Sequence, residues 1–592
     1  MSSNALGSES AGAPTRKHGG ERGKRGGRDR GNDKRKRKHN GFGSAKGDLP
    51  SKREQIQNNR DAKRRRVIDN NHDGHSYMSI PFTPEEIAAE ERRPKRKVAV
   101  MIGYAGTGYH GIQINHKEKT IEGDIFAAFV AAGAISKANA DDPRKSSLVR
   151  CARTDKGVHA AGNVLSLKLI VEDEDIVDKI NQHLPDQIRV WGIQRTSNGF
   201  SCYQACDSRQ YEYLMPSYAL LPPQPHSFLG KKLAETAREK GVYDEYIERI
   251  GELKDFWAEV EKNDIQPILA KLDPDVRESV LKKLRDTQDQ NLEDEEGIAP
   301  DPKLTATAGD IQMQDSDAQK PAEPSGAEST AFPAQQPNQV ADGTKTEREL
   351  TPAEMALREV KAAYVSAKRR YRVSPDRIAK LQEALDQYLG THNFHNYTIL
   401  KAHNDPSAKR HIKSFVVNPE PITIRDTQWL SLRVHGQSFM MHQIRKMVAM
   451  AVMVVRCGAP LSLISDSYGP RRISIPKAPG LGLMLERPMF TEYNKRAPSL
   501  GKEPIDFSKW EDKIREFKDQ HIYRRMFELE EKENSFHLFF NQVDNFRTDY
   551  FLWVTAGGLE ASHERSARTE KVPKALEAEL GDEGDGVEEV GT

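Results

Sequence analysis

Strand-like and helix-like patterns occupy two separate stretches of this 592-residue sequence, about residues 92–220 and 351–500. Between them, residues 221–350 begin as charged helical sequence and continue, from residue 287, as an acidic segment rich in Pro, Gln and Ala. Order resumes at Ser374-Pro375-Asp376, which is typical of a helix N-cap followed by Pro at the first helical position. We therefore interpret 221–350 as an insertion that splits one domain into two halves.

Charge is segregated along the chain. The formal net charge is only +2, yet residues 1–66 hold 20 Lys and Arg against 7 Asp and Glu, whereas residues 286–342 hold 2 against 13. With 36% hydrophobic and 30% charged residues, the chain can bury one or two substantial cores but is too polar to be globular throughout. We predict a disordered basic arm over 1–91 and a disordered acidic tail over 559–592.

Periodicity predicts strands and helices that alternate without repeating one parallel unit, which indicates an α+β fold. The predicted strands cover 97–104, 164–170, 188–194 and 429–435. The predicted helices begin near Thr120, cover 175–183, begin at Asp273-Pro274, begin after Ser374 and cover 441–457. A further helix, opened by a capping box at Ser508-Lys509-Trp510-Glu511, is expected to pack on the core within a C-terminal helical extension over 501–558.

The apolar run at 447–455 is too short to span a bilayer, and Lys446 and Arg456 bracket it. Its apolar residues fall on nearly all faces of a helix. We predict a buried helix and no membrane association.

A charged loop at 150–160 carries the clearest chemical signal. Arg150 and Arg153 precede Asp155, and Lys156-Gly157 follow it before an alternating apolar run. Such a turn presents one carboxylate beside fixed positive charge, so that the acid stays ionised and is available as a nucleophile or a base. Taken alone, the pattern is also typical of a surface turn with a structural ion pair.

Other motifs favour function. The segment Arg153-Thr154-Asp155-Lys156-Gly157-Val158-His159-Ala160 resembles the catalytic signature of the TruA-type tRNA pseudouridine synthases. Further segments match that family in the expected order, at 103–115, 205–214 and 436–448, and smaller matches at 390–398 and 475–483 resemble its fungal-like nuclear branch. The resemblance covers about 92–220 and 365–495, and four ordered motifs are a strong signal where one would be weak.

The resemblance implies a pseudouridine synthase fold, a mainly antiparallel mixed sheet with flanking helices built from two related halves. It also implies an isomerase that converts uridine to pseudouridine at several tRNA positions, with snRNA and mRNA as further candidates. In that reaction the bond to nitrogen 1 breaks, the uracil turns in place, and carbon 5 bonds to the same sugar carbon. All atoms are retained, so no cofactor is required.

Roles follow for the positions that match the family. Asp155 is the nucleophile or the base that starts cleavage, and the sequence does not distinguish the two. Arg445 is expected to pair with Asp155, and Tyr211 to stack on the uracil. Arg153 takes part in flipping the base. The predicted substrate-binding residues are Arg153, Lys156, Gly157, His159 and Tyr211, with His159 supporting the catalytic turn; His392, His395 and His442 carry no specific signal.

Two other classes of function stay open. The stretch Gly106 to Gly111 fits a dinucleotide fingerprint, but helical spacing begins near residue 120 rather than at the glycines. We assign this loop to close backbone approach, either to RNA or to the catalytic turn. An RNA-binding protein without catalysis is the other alternative, and the intact Asp155, Tyr211 and Arg445 argue against it.

Basic runs at 34–38, 63–66 and 92–97 predict a nuclear protein carried by an import receptor, with phosphate contact as an accessory role. The alternative is a solvated tail. Cysteines at 151, 202, 206 and 457 form neither a disulfide framework nor a zinc-finger array. Cys202 and Cys206 are expected to be small buried residues, a structural zinc being the minor alternative.

Overall fold

The computed structural model describes residues 82–115, 118–289, 351–399 and 401–563. Two of the basic runs, 34–38 and 63–66, lie outside the described residues, as do most of the acidic segment and the C-terminal tail. Residues Pro84–Ala89, within the arm assigned to disorder, form helix α1 behind a capping box made by Thr83 and Glu86.

One sheet contains the strands of the described residues. They are β1 Arg96–Tyr104, β2 Val149–Arg150, β3 His159–Leu169, β4 Ile188–Arg195, β5 Ser208–Pro216, β6 Gly390–Asn393, β7 Lys409–Val417, β8 Ile422–Ile424, β9 Thr427–Gly436 and β10 Leu483–Met489. The order is β4-β1-β3-β10-β5-β9-β7-β6, with β2 beside β3 and β8 beside β9. Within the described sheet only β3 and β10 run parallel, so the prediction of a mainly antiparallel mixed sheet is confirmed.

The sheet interleaves strands from both sides of the insertion. Strand β10 follows the insertion in sequence, yet it lies between β3 and β5, with Met484 opposite His159 and Leu485 opposite Tyr211. Neither stretch can therefore complete the sheet alone, and the two form one domain.

Strand β3 begins earlier than its sequence pattern predicts. The prediction of 164–170 rests on alternating apolar residues, whereas the structure extends the strand back to His159. The added residues are mostly small or polar, but Ala160 pairs with Tyr104 and Asn163 with Ile102 on β1. Pairing with a neighbouring strand thus overrides weak local propensity.

The α-helices of the described residues are α1 Pro84–Ala89, α2 Ile121–Ala131, α3 Ile176–Gln182, α4 Cys202–Ala205, α5 Phe228–Glu239, α6 Tyr243–Ile250, α7 Phe256–Val260, α8 Gln266–Ala270, α9 Pro274–Asp289, α10 Pro352–Arg370, α11 Pro375–Asp386, α12 Gln443–Arg456, α13 Ser462–Asp466, α14 Thr491–Arg496, α15 Glu511–Phe517, α16 Arg524–Glu533 and α17 Ser535–Asn545. The predicted N-caps Thr120 and Ser374 are confirmed, since each side-chain oxygen accepts a backbone N–H of the first turn. Helix α12 is buried over almost its whole length, as predicted.

Helices α5 to α9 confirm the charged helical part of the insertion. They are fixed to the core by Arg377, whose buried guanidinium donates to the carbonyls of Ile250 at 3.1 Å and Leu220 at 2.9 Å. Among the residues that the structure describes, we find no helix with the length and apolar character needed to cross a membrane.

The predicted capping box at Ser508 is wrong. Residues Ser508–Trp510 form a 3₁₀ turn, and Trp510 precedes α15 without a side-chain cap. The Ser508 backbone and hydroxyl instead bond to the carboxylate of Asp506, an alternative that short polar side chains offer the chain. The extension still packs on the core, since Phe517 contacts Trp191 edge-to-face at 5.3 Å and Phe527 contacts Trp429 at 4.8 Å.

Candidate active site

The turn that carries Asp155 connects β2 to β3, and buried polar groups fix its base. The Asn163 side chain accepts from Ala152 N–H at 3.3 Å and donates to the Ala152 carbonyl at 3.0 Å. The Thr154 hydroxyl lies 2.8 Å from the Tyr104 hydroxyl. With its neighbours held inside the protein, the Asp155 side chain remains 45% exposed.

The glycine loop at 103–115 encloses this turn. Ile112 N–H donates to the Thr154 carbonyl and Gly157 N–H to the Tyr109 carbonyl, both at 3.3 Å. A Cβ atom on Gly106 would lie 2.2 Å from the Val158 carbonyl oxygen, so only glycine fits there. The structure shows that this loop closely approaches the turn that carries Asp155, and α2 begins only at Ile121, well after the glycines.

Arg150 has a structural role. Its Nη2 donates to Glu122 Oε2 at 2.8 Å, and the same oxygen accepts from Ile114 N–H at 3.2 Å. Glu122 is fully buried, and burial raises the pKa of its carboxyl although Arg150 acts in the opposite direction. The pair joins β2, α2 and the glycine loop. Arg153, in contrast, is exposed and has no ion pair within the described residues, which leaves it available to a substrate.

The second half of the domain meets the turn at the start of α12. His442, in the left-handed region with φ 59°, places Nδ1 3.5 Å from Asp155 Oδ2. Arg445 lies three residues further, and its Nε donates to the Ala478 carbonyl at 2.6 Å. Gly480 borders the guanidinium, since a Cβ there would lie 3.5 Å from Arg445 Cζ. The ion pair between Asp155 and Arg445 stays a prediction; the residue of this helix start that the structure places beside Asp155 is His442.

Positive charge surrounds His442. Burial, followed by the charges of Lys477, Arg445 and Lys446, lowers the pKa of His442 to about 3. The imidazole is therefore neutral at physiological pH, and its contact with Asp155 is not an ion pair there. Both lysines are buried, Lys477 with 1% exposure. The sequence analysis predicted only Arg445 as a site residue, although Lys446 and Lys477 both lie in segments that match the family.

Tyr211 lies on β5 and is buried, edge-to-face with Phe439 at a centroid distance of 5.3 Å. Burial raises the pKa of Tyr211, and the charge of Asp155 adds to the increase, so the phenol keeps its proton. Tyr213, two residues on, donates to the Pro479 carbonyl at 2.8 Å and packs, as expected. Glu212 points to the opposite face, where it accepts from the Tyr523 hydroxyl at 2.5 Å. The C-terminal extension thus covers the face that the site does not use.

The remaining predicted site residues fall into two groups. Lys156 is exposed beside Asp155, and Gly157 adopts a φ of 75°, which favours glycine. His159 is fully buried, and its Nδ1 accepts from Gly106 N–H at 3.2 Å. Burial, followed by the charge of Arg525, lowers the pKa of His159 to about 4. This hydrogen bond joins the start of β3 to the glycine loop, and the predicted role of His159 at the site stays a prediction.

The cysteines and the other histidines make local contacts. Cys202 is buried and Cys206 half-buried. His395 Nε2 lies 2.7 Å from the Gly469 carbonyl, and His392 stacks on Tyr468 at 4.4 Å. Across the described ranges, no group of three or more His, Cys, Asp or Glu side chains is arranged to hold a metal ion.

The structure brings a half-exposed carboxylate, a buried tyrosine and a cluster of cations together on one mixed sheet built from both halves of the chain. A family model described as tRNA pseudouridine synthase matches residues 384–491. Together with curated relatives that are 35–44% identical over two thirds or more of the chain, this match shows that the chain belongs to the tRNA pseudouridine synthase family, whose members are isomerases that act on RNA.

Curated relatives cover most of the chain. The tRNA pseudouridine synthase 1 of Yarrowia lipolytica is 44% identical over 465 residues, 78% of this chain and 77% of the relative. The tRNA pseudouridine synthase 1 of Schizosaccharomyces pombe is 40% identical over 507 residues, 84% of this chain and 92% of the relative. The tRNA pseudouridine(27/28) synthase of Saccharomyces cerevisiae is 35% identical over 406 residues, 68% of this chain and 86% of the relative.

Proposed function

We propose that this protein isomerises uridine to pseudouridine in tRNA, with Asp155 as the group that starts the reaction. The observation that carries the proposal is the position of its half-exposed carboxylate. A turn fixed by the glycine loop of the first half holds the carboxylate 3.5 Å from His442 of the second half. The charge of Asp155 also contributes to the raised pKa of Tyr211.

The reaction takes place on a uracil that has been flipped out of the RNA. Asp155, as nucleophile or base, starts cleavage of the bond between nitrogen 1 and the sugar carbon. The uracil turns without leaving, carbon 5 bonds to the same sugar carbon, and the proton on carbon 5 is lost while nitrogen 1 takes up a proton, so the composition of the nucleotide is unchanged. Because every atom of the uridine is retained, we propose that no cofactor takes part.

The neighbouring side chains have the properties that this sequence of steps requires. Tyr211 offers an aromatic surface for the extruded uracil. Arg445, Lys446 and Lys477 place positive charge around His442, the residue that contacts Asp155, and positive charge there attracts a carboxylate. Arg153 is exposed beside the turn, where it can enter the gap left by the base.

Replacing the carboxylate tests the proposal directly. Asp155→Asn removes the charge and the nucleophile while keeping the size of the side chain, so pseudouridine formation should be lost and tRNA binding nearly unchanged. Asp178→Asn, which changes an exposed acid on α3, is the matched control and should keep full activity. Pseudouridine is measured by carbodiimide labelling and primer extension of a tRNA transcript. Activity retained by Asp155→Asn would reject the role of Asp155.

We propose tRNA as the main substrate because the relatives are named for it, one of them for positions 27/28. Modification at several tRNA positions, and of snRNA and mRNA, agrees with recognition of RNA by shape and accessible loops. Transcriptome-wide mapping of pseudouridine in cells with and without this protein identifies the sites. Maps without any change in tRNA would contradict the proposal.

We also propose that the protein is nuclear and that an import receptor binds its basic arm. The run at 92–97 is poorly suited to this role, because Lys97 is buried in β1 and Lys95 Nζ donates to Ser136 Oγ at 2.7 Å. The proposal therefore depends on the runs at 34–38 and 63–66. Deleting residues 1–66 from a fluorescent fusion should shift it to the cytoplasm, and unchanged nuclear fluorescence would contradict import through this arm.

A further inference from the structure

A cavity of about 500 Å³ adjoins the site on β5. We call it the Tyr203 pocket; it is lined by Tyr203, Cys206, Arg209, Lys413, Gln437 and Ser438, with Asp207 and His411 completing its wall. It shares two elements with the active site. Arg209 precedes Tyr211 by two residues on the same face of β5, a distance of about 7 Å. The turn containing Gln437 and Ser438 continues to Phe439, which packs on Tyr211.

A hydrogen bond joins the wall of the pocket to the segment that leads to Asp155. Arg209 Nη2 donates at 2.9 Å to the carbonyl of Cys151, four residues before Asp155, and Nη1 donates to the Gln437 carbonyl at 3.5 Å. Carbonyl oxygens orient a guanidinium without neutralising it, so Arg209 presents positive charge to the cavity.

A second cation completes a phosphate-binding arrangement. Lys413 extends from β7 and is exposed. The wall also contains the carboxylate of Asp207, whose Oδ2 accepts from Glu492 N–H at 3.0 Å. Arg and Lys side chains in a cleft are the usual partners of RNA phosphates.

An aromatic ring stands beside these cations. Tyr203, on α4, is 61% exposed, although tyrosines elsewhere in the described core are mostly buried. An exposed aromatic next to a basic groove is the arrangement on which single-stranded bases stack, because every base has a π-face.

We propose that the Tyr203 pocket binds the RNA nucleotide adjacent to the target uridine, with its phosphate on Arg209 and Lys413 and its base on Tyr203. The inference rests on the proposed function, since it takes the target to be the base held at Asp155 and Tyr211. The spacing along β5 corresponds to about one step of an extended RNA strand.

Binding of an unmodified tRNA transcript to the full-length protein tests the pocket without requiring chemistry. Tyr203→Ala should weaken binding about tenfold, because stacking contributes roughly 1–3 kcal/mol per base, whereas Tyr203→Phe keeps the ring and should bind normally. Lys413→Glu should weaken binding and lower the slope of log affinity against log salt by about one. The matched control is Lys254→Glu, an exposed lysine of the insertion, which should change neither. Normal binding by both Tyr203→Ala and Lys413→Glu would overturn the proposal.

Cys206 provides an independent readout of occupancy. Its hydrogen bond with Cys151 and the charge of Arg209 lower the pKa of the Cys206 thiol, against the effect of burial, so iodoacetamide should modify it before the buried Cys457. Saturating tRNA should slow alkylation of Cys206 at least tenfold, as measured by mass spectrometry. An unchanged rate would overturn the proposal.

The two proposals fail in different ways. If the wild-type protein makes no pseudouridine yet tRNA protects Cys206, the proposed chemistry is wrong and the pocket remains an RNA site. If pseudouridine forms while the pocket variants bind normally and Cys206 stays reactive, the catalytic proposal stands and the pocket proposal is wrong.

Discussion

Replacing Gly106 by Ala should move the catalytic turn and reduce catalysis far more than stability. The added Cβ would lie 2.2 Å from the Val158 carbonyl oxygen and 2.9 Å from Gly157 C, both main-chain atoms that cannot rotate away. To reach a contact of about 3.0 Å, the turn or the loop must shift by about 0.8 Å. A displacement of about 1 Å at a catalytic group can cost on the order of 100-fold in rate, whereas overpacking costs about 1–3 kcal/mol of stability.

The assay compares single-turnover pseudouridine formation and thermal unfolding of Gly106→Ala with those of Gly199→Ala. Gly199 has no atom within 4 Å of a new Cβ, so it controls for the substitution itself. We expect a rate roughly 100-fold below wild type for Gly106→Ala, with the midpoint of unfolding lowered by a few degrees. A wild-type rate at unchanged stability would refute the inference that the glycine loop positions Asp155.

Three further outcomes are expected. The pKa of His159 is about 4 in the folded protein and about 6.5 in the unfolded chain, so the free energy of unfolding falls as the pH drops through this range. Urea unfolding of His159→Gln should show a decrease between pH 6.5 and 5 that is smaller than that of the wild type by about 2 kcal/mol. Asp544→Ala leaves buried Arg456 without its bidentate partner and should cost about 3–5 kcal/mol in the same assay, more than Asp178→Asn. Dialysis against a chelator should leave pseudouridine formation unchanged, because no metal takes part in the proposed steps. A loss of activity that added zinc restores would contradict this expectation.

Local patterns in the sequence predicted the elements whose structure depends on local chemistry. Thr120 and Ser374 cap helices because their hydroxyls satisfy nearby N–H groups, and α12 is buried because apolar residues cover its faces. The start of β3 at His159 was not predictable in this way, since it depends on pairing with β1 and β10. The cap at Ser508 failed because Asp506 competes for the same groups.

The candidate site likewise contains residues that motifs identify and contacts that depend on tertiary structure. Asp155 and Tyr211 could be found from motifs, and the structure places both at the junction of the two halves. The proximity of His442 to Asp155, and the presence of Lys477 beside His442, depend on β10 crossing between β3 and β5. No spacing in the sequence reports that contact, because more than 280 residues separate Asp155 from His442.

A site assembled across such a distance is compatible with a long insertion only if the ends of the insertion are held together. Ser217, just after β5, donates to the Tyr371 carbonyl at 3.3 Å, and Arg377 at the start of α11 donates to the Leu220 carbonyl. These contacts return the chain to the point where it left the sheet. Because the entropy of closing a loop grows only by about 0.6 kcal/mol for each doubling of its length, lengthening the segment between the fixed ends costs little. The insertion can therefore vary in length and composition while the geometry between Asp155 and α12 is preserved, which makes its ends, rather than its acidic middle, the part on which catalysis depends.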